Sequence, residues 1–256
     1  MNVTVQSYGA GVQSRAMLHM SINGDLPKPD RIIFADTQAE PQAVYQAVEE
    51  DQEHAKRAGI PFDTVTNGDL NATDKWGGVT IPAHTLNPRT GSKGMLRRQC
   101  THLFKVRPIR RHLRALGATR ATIHLGITTD EATRMKPSNV QWITHSYPLI
   151  DRNLSREDCD AYLQRLGIAA VKSACVFCPY RSNYGWAKIR ANPSDWKAAI
   201  AYDEQLRDKR PEGGELFVHP DRVPLREAQV PDLASMIPLF DDHGGFGNEC
   251  EGHCGV

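Results

Sequence analysis

Short apolar runs alternate with stretches whose apolar positions recur every three or four residues, and this alternation organises the first half of the chain. Val3 and Val5 predict a short strand, and Ser7-Tyr-Gly9-Ala-Gly11-Val-Gln13-Ser14 a small glycine-bearing turn. Arg15 to Met20 then predicts a helix with Ala16, Met17 and Met20 on its apolar face. Arg31-Ile-Ile-Phe-Ala35 reads as a buried strand that ends at Asp36-Thr37. A long helix follows from about Pro41 to Ala58, and proline suits its first turn. Phe62-Asp-Thr-Val-Thr66 is a further strand, Val106, Ile109, Leu113 and Leu116 form the apolar stripe of a basic helix, and Thr122 to Gly126 is the next strand. Strand, helix, strand, helix, strand predicts an α/β fold, a Rossmann-like, doubly wound and mainly parallel sheet with helices on both faces. In such sheets ligands bind at the carboxyl ends of strands, here the turn at 7–14 and Asp36-Thr37.

The second half reads as a Cys-bearing helical region and a tail. Ser155 caps a helix whose Cys159, Tyr162, Leu163 and Leu166 share one face, so Cys159 is expected in the core. Trp186, Ile189, Trp196 and Ile200 mark the packed side of later helices, and core packing is the simpler reading than base stacking. Residues 210–256 are rich in proline and glycine and are expected to cross the surface. The expected organisation is an α/β core over 1–150, a helical region with a C-x-x-C over 151–209 and a tail over 210–256 that carries Cys250 and Cys254, all in one structural domain.

At 256 residues the chain buries a core without staples, and its 31 basic and 30 acidic residues nearly cancel, so bulk charge points to no dedicated polyanion coat. No apolar run approaches the ~18 residues of a membrane span, and the first residues lack the layout of a secretory signal. The expectation is a cytoplasmic protein with no membrane partner and with reduced thiols.

Reduced thiols matter because five of the six cysteines fall where a shared site needs them: Cys100, Cys175 and Cys178 in a C-x-x-C, and Cys250 and Cys254 in the tail. A C-x-x-C on a turn lets two thiolates grip one metal or cluster, with distant cysteines closing the shell. The same spacing serves a dithiol redox pair, and four thiolates suit zinc as well as iron.

The glycine turn between a first strand and a helix presents backbone N–H groups and the positive helix end to an anion, phosphate above all, although Gly9 and Gly11 would also serve a tight turn that binds nothing. The sequence lacks the Gly-Lys-Ser/Thr ending of a P-loop. Arg97, Arg98 and Lys105 lie beside Cys100, placed to meet phosphate or sulfate oxygens and to favour a thiolate, whereas Arg107, Arg110, Arg111 and Arg114 read as a solvated face. Asp130, Glu131 and Arg134 follow a strand end, where a site is expected; the acidic pair also simply suits a helix start. Arg181, just past the C-x-x-C, is placed to contact an anionic substrate or to shield a cluster.

Gly9-Ala-Gly11-Val-Gln13-Ser14 resembles the PP-loop of the adenine nucleotide alpha hydrolase superfamily, and its Gly-Val-Gln ending resembles the phosphoadenosine phosphosulfate (PAPS) reductase family within it. Asp36-Thr37-Gln-Ala-Glu40 is similar to that family's Asp-Thr-Gly segment. Cys100-Thr-His-Leu-Phe-Lys105-Val-Arg-Pro108 is similar to its Cys-Cys-x-x-Arg-Lys-x-x-Pro segment, with Thr101 on the second cysteine and Phe104 on the arginine. Gly126-Ile-Thr-Thr-Asp130-Glu131-Ala-Thr-Arg134 resembles the Gly-x-x-x-x-Glu-x-x-Arg substrate segment. Tyr147-Pro-Leu-Ile-Asp151 is similar to the region leading to the second cysteine pair, and Glu249-Cys250-Glu-Gly-His253 to the tail whose cysteine is the nucleophile.

The resemblance implies a HUP-type fold and an adenine nucleotide held by Ser7, Gly9, Gly11, Gln13, Ser14, Asp36, Thr37, Arg97, Arg98, Gly126, Asp130, Glu131, Arg134 and Arg181. It implies Cys250, Cys254 and Lys105 as catalytic candidates, and a [4Fe-4S] cluster, with zinc as the alternative, on Cys100, Cys175, Cys178 and Cys254. Two departures stand out. Gln13 replaces the aspartate that helps hold magnesium and pyrophosphate in ATP-splitting relatives, and Thr101 removes one cluster ligand. Three functions therefore compete: reduction of adenylyl sulfate or PAPS to sulfite with a thioredoxin-like or other thiol reductant; ATP- and magnesium-dependent thiolation of tRNA or DNA; and a zinc-stapled nucleotide-binding module.

Overall fold

The structure, a computed structural model, describes residues 1–72, 78–210 and 214–235. In chain order its elements are β1 (Asn2–Tyr8), α1 (Val12–Asn23), β2 (Arg31–Asp36), α2 (Gln42–Arg57), β3 (Phe62–Thr66), β4 (His84–Leu86), β5 (Lys93–Met95), α3 (Arg107–Ala115), β6 (Arg120–His124), β7 (Ile143–Ser146), α4 (Pro148–Asp151), α5 (Arg156–Arg165), α6 (Asn183–Ala191), α7 (Pro193–Leu206) and β8 (Glu215–Phe217). They fall into two compact units. Met1–Asn67 joins Thr101–Ser173, and Gly68–Cys100 joins the described residues from Ala174 onward.

The first unit is built on a five-stranded sheet in the order β3-β2-β1-β6-β7. Every pairing is parallel, with Val5 opposite Arg31, Ile32 opposite Phe62, Gln6 opposite His124 and His124 opposite Ser146. Successive side chains of a strand point to opposite faces. Ile33 and Ala35 of β2 accordingly pack with Val3, Val5, Ala121 and Ile123 beneath Ile109 and Leu113 of α3. Ile32 and Phe34 pack on the other face with Tyr8, Leu18 of α1 and Val44, Ala47 and Val48 of α2. This is the doubly wound α/β fold expected from the pattern.

Helix α1 packs on more than the sheet. Val12, Ala16, Met17 and Met20 meet Leu149 and α5, whose Cys159 and Leu163 are fully buried, so Cys159 is core as read. Ser155 caps α5 through a reciprocal capping box with Asp158. A π-helical segment, His102–Val106, leads into α3 and buries Phe104, Lys105 and Val106 in succession. The wider turn puts three consecutive residues inward where an α-helical stripe would place one or two.

The second unit carries a three-stranded antiparallel sheet in the order β5-β4-β8, with α6 and α7. Trp186 and Ile189 are core as expected, but α7 buries Ala199, Tyr202, Asp203 and Leu206 and leaves Trp196 and Ile200 partly exposed. The reason is a buried carboxylate. Asp203 pairs with Arg207 and accepts hydrogen bonds from the backbone N–H of Val218 at 2.9 Å and of Leu225 at 3.0 Å, which rotates that face inward. These bonds also correct the reading of the described part of the 210–256 tail, residues 214–230, as crossing the surface. Leu216, Phe217, Val218, His219, Leu225 and Val230 are buried, and β8 pairs with β4.

Candidate active site

In the first unit the turn after β1 is wound onto itself. The Ser14 hydroxyl donates to the Gly11 carbonyl at 3.1 Å and accepts from the Gly9 N–H at 3.3 Å. Tight closure puts Ala10 at φ 60°, a left-handed conformation that costs a non-glycine residue about 1–2 kcal/mol. Gly11 is the N-cap of α1 at an ordinary φ of −81°, no side chain caps the helix, and its first turn has no acidic residue. Such a helix start directs its N–H groups and positive end at an anion.

Other strand ends close on this turn. A Cβ at Gly126, just past β6, would stand 3.2 Å from the Ser14 backbone nitrogen and 3.3 Å from the Gln13 Cβ, so glycine is what allows this approach. Gln13 is fully buried. Its amide N–H donates to Glu131 at 3.3 Å, and its oxygen accepts from Arg156 at 3.4 Å. Glu131, also buried, is paired with Arg134 at 2.5 Å. Beyond β2, Asp36 accepts from the Tyr45 hydroxyl at 3.0 Å and the Gln38 N–H at 2.8 Å, while the buried Thr37 hydroxyl donates to Glu40 at 3.3 Å. The hydroxyl oxygens of Ser7 and Thr128 are buried at strand ends with no hydrogen-bond partner among the described atoms. Unmet hydroxyls at such ends suit a polar ligand.

Two sequence expectations change here. Lys105 is 5% exposed and forms an ion pair with Glu40 at 3.4 Å, turned inward by the π-helical segment. Asp130 is exposed and accepts from the Arg156 backbone N–H at 2.9 Å, so it caps the start of α5. Arg156 is not among the candidates read from sequence, and Glu40 enters there only as the end of the Asp36-Thr37 segment, because Gln13 and Lys105, which they meet, are remote from them in the chain.

The thiol site lies in the second unit. Cys178 N–H donates to the Cys175 carbonyl at 3.0 Å, which closes the C-x-x-C turn over buried Val176 and Phe177. Phe177 stacks on Tyr202 at 3.7 Å. Cys100 is tied by its N–H to the Thr80 carbonyl at 2.9 Å. The three thiols converge on two tyrosines. Burial, then Cys175 and Cys100, pushes the Tyr202 hydroxyl well up; burial raises Tyr180, opposed by Arg98, with Cys178 and Cys100 adding to the rise. Arg98 stands over the Tyr180 ring at 5.8 Å, whereas Arg97 is exposed. Arg181 is buried and donates to the carbonyls of Ala174 at 2.6 Å and Cys175 at 2.8 Å, so its guanidinium braces the turn. Soft thiolates on a braced turn fit an iron–sulfur cluster or zinc. Cys250 and Cys254 lie outside the described residues.

The sequence match decides the family. The phosphoadenosine phosphosulfate reductase domain matches residues 3–172. The chain belongs to the phosphoadenosine phosphosulfate reductase domain family. No curated protein matches it. Among solved structures it is similar to the U34-tRNA thiolase NcsA from Methanococcus maripaludis with its [4Fe-4S] cluster, at 13% identity and a TM-score of 0.45, over 93% of this chain and 78% of that one. The match of the reductase domain contains the 9–14 turn, Gly126, Glu131 and Cys100 and stops before the C-x-x-C. Among the described residues of this reductase-family chain, no helix is long and apolar enough to cross a membrane.

Proposed function

We propose that this chain is an enzyme that binds an adenine sulfonucleotide with its phosphates at the 9–14 turn and reduces it to sulfite. A thiolate, Cys250 in this reading, attacks the sulfur; the sulfur–oxygen bond to the nucleotide phosphate breaks, and the adenine nucleotide leaves. A thiol of the reductant then attacks the Cys250 sulfur and releases sulfite, leaving a mixed disulfide, and the reductant's second thiol displaces the Cys250 thiolate as the pair is oxidised to its own disulfide. The observation that carries this reading is the neutral Gln13, fixed between Glu131 and Arg156. The buried carboxylates nearby are engaged too, Glu131 with Arg134 and Glu40 with Lys105. That environment suits phosphate held by backbone N–H groups more than a hydrated magnesium ion, which usually takes one or two carboxylate ligands. Cys100, Cys175 and Cys178, joined by Cys254, would hold a [4Fe-4S] cluster, which supplies a redox-capable, charged centre when bound.

A second reading, ATP-dependent transfer of sulfur to a nucleic acid, is favoured by Thr101. The position after Cys100 offers no thiolate, so Cys100, Cys175 and Cys178 would hold a cluster by three thiolates and it could supply sulfur-transfer chemistry. Calorimetric titration separates the two. Adenylyl sulfate, PAPS and AMP are expected to bind without magnesium, with sulfite released in the presence of a dithiol; binding that requires Mg-ATP, with no sulfite, would overturn the reductase reading.

The close approach of Gly126 gives a further expectation. In Gly126→Ala the added methyl meets backbone at 3.2 Å, which cannot swing aside as a side chain can. Overpacking of this kind costs about 1–3 kcal/mol. Nucleotide affinity is expected to fall by about tenfold or more, while the circular dichroism spectrum stays that of the parent. Unchanged affinity in the same titration would remove Gly126 from the site.

A further inference from the structure

Helices α1 and α2 bring together three side chains that neither the nucleotide turn nor the thiol site uses. His19 Nε2 lies 3.0 Å from Asp51 Oδ1, and His54 Nδ1 lies 3.6 Å from the same oxygen. One ligand atom from each residue falls within 4.8 Å of the others. His54 follows Asp51 by three residues on α2, so both project from one face, and His19 meets them from α1. The two imidazole rings stand 5.0 Å apart at 71°.

We infer that His19, Asp51 and His54 form a binding site for a divalent transition-metal ion, zinc first among candidates. Two imidazoles and one carboxylate on one side of an ion are a known ligand set for zinc and its neighbours, with further positions left for water or substrate. Two observations raise this above an ordinary buried hydrogen-bond network. His54 Nδ1 is buried yet has no hydrogen-bond partner among the described atoms, so a nitrogen able to ligate stands next to Asp51 without one. A cleft of about 830 Å³ opens on the two histidines of the three, lined by His19, Glu50 and His54 with Lys28 and Arg57. The site thus has an entrance.

The carboxylate is already oriented as a metal ligand must be. Asp51 Oδ2 accepts from the Tyr8 hydroxyl at 2.6 Å and from Arg15 Nε at 2.9 Å, and Oδ1 accepts from Arg15 Nη2 at 3.0 Å. Outer partners of this type fix the ligand and tune its affinity. The positive charge of Arg15 is offset by Asp51 and by Glu50 at 3.1 Å. His19 lies five residues beyond Ser14, roughly 7–8 Å farther along α1, so the ion would sit on the same helix that the nucleotide turn begins.

Cobalt(II) titration of the full-length protein tests the inference, because cobalt reports its ligands by colour. Apart from any cobalt held by the thiols, which a thiolate charge-transfer band reveals, the parent and a variant with Cys100, Cys175 and Cys178 all changed to Ser are both expected to bind one equivalent with visible d–d bands of nitrogen and oxygen ligation, and zinc is expected to displace it. His54→Ala should lose this signal, with affinity lowered beyond the roughly 100-fold upper figure for losing only an outer partner. His54 is half-buried, so that variant is expected to keep the parent's circular dichroism, and His54→Gln serves as a second ligand deletion. Absence of the nitrogen–oxygen bands in the parent, or their persistence in both His54 variants, would overturn the assignment.

Discussion

Asp51→Ala is expected to lower unfolding stability by about 3–5 kcal/mol, the cost of leaving one member of a buried ion pair alone. Arg15 is 1% exposed and Asp51 fully buried, and the carboxylate also receives the Tyr8 hydroxyl and faces His19. Truncation would strand a guanidinium, a phenol and an imidazole at once, in the layer that joins β1, α1 and α2. Urea denaturation followed by circular dichroism measures the loss, and a value below about 1 kcal/mol, typical of an exposed pair, would contradict it. Acid should act on the same carboxyl. Burial alone would raise it, but hydrogen bonds from His19 and Arg15, the charge of Arg15 and the hydroxyl of Tyr8 outweigh burial and hold it at about 2, below its ordinary 3.8. A carboxyl lowered on folding stabilises above its unfolded value, and that stabilisation is lost as pH falls from about 4 towards 2. The gap corresponds to about 2 kcal/mol, which Asp51→Asn should no longer show as a pH dependence.

The second large effect is expected at the C-x-x-C. Cys178→Ser removes a thiol from a turn that buried Val176 and Phe177 seat and Arg181 braces, so under the proposed cluster the backbone should hold while the cluster is lost. Broad visible absorption and bound iron should disappear, and turnover should fall by about 100-fold or more. Cys159→Ser is the matched control. Cys159 is packed between α1 and α5, and its substitution should cost stability without bleaching the protein. If Cys178→Ser retained iron and colour, the three thiols would not be the ligands.

The sequence pattern revealed the α/β fold because each of its signals is local. The runs in β1, β2 and β3 and the glycine turn each announce themselves within a few residues, and Gly126 and Glu131 follow a readable strand end. The features it concealed depend on partners far along the chain. Arg15 and Asp51 look like surface charges on two helices, and only packing 36 positions apart makes them a buried pair. Lys105 reads as an anion ligand from its place beside Cys100 in the sequence, whereas the π-helical segment turns it towards Glu40. On α7 the apolar stripe through Trp196 and Ile200 lost to the buried Asp203, whose partners lie 15 and 22 residues away. The three-residue strands β4, β5 and β8 are too short to leave a period-two signature.

The interleaving of the two units also sets an order of events during synthesis. Cys100 emerges from the ribosome roughly 75 residues before Cys175, and the stretch from Thr101 to Ser173 that intervenes belongs to the other unit. At about 5–20 residues per second the early thiol waits some 4–15 s for its companions. Throughout that interval it is open to oxidation or to a stray ion. Under the proposed cluster, loading is a late event that follows synthesis of all three thiols, and cells short of reductant should accumulate a chain whose parallel sheet is formed and whose thiol site is empty.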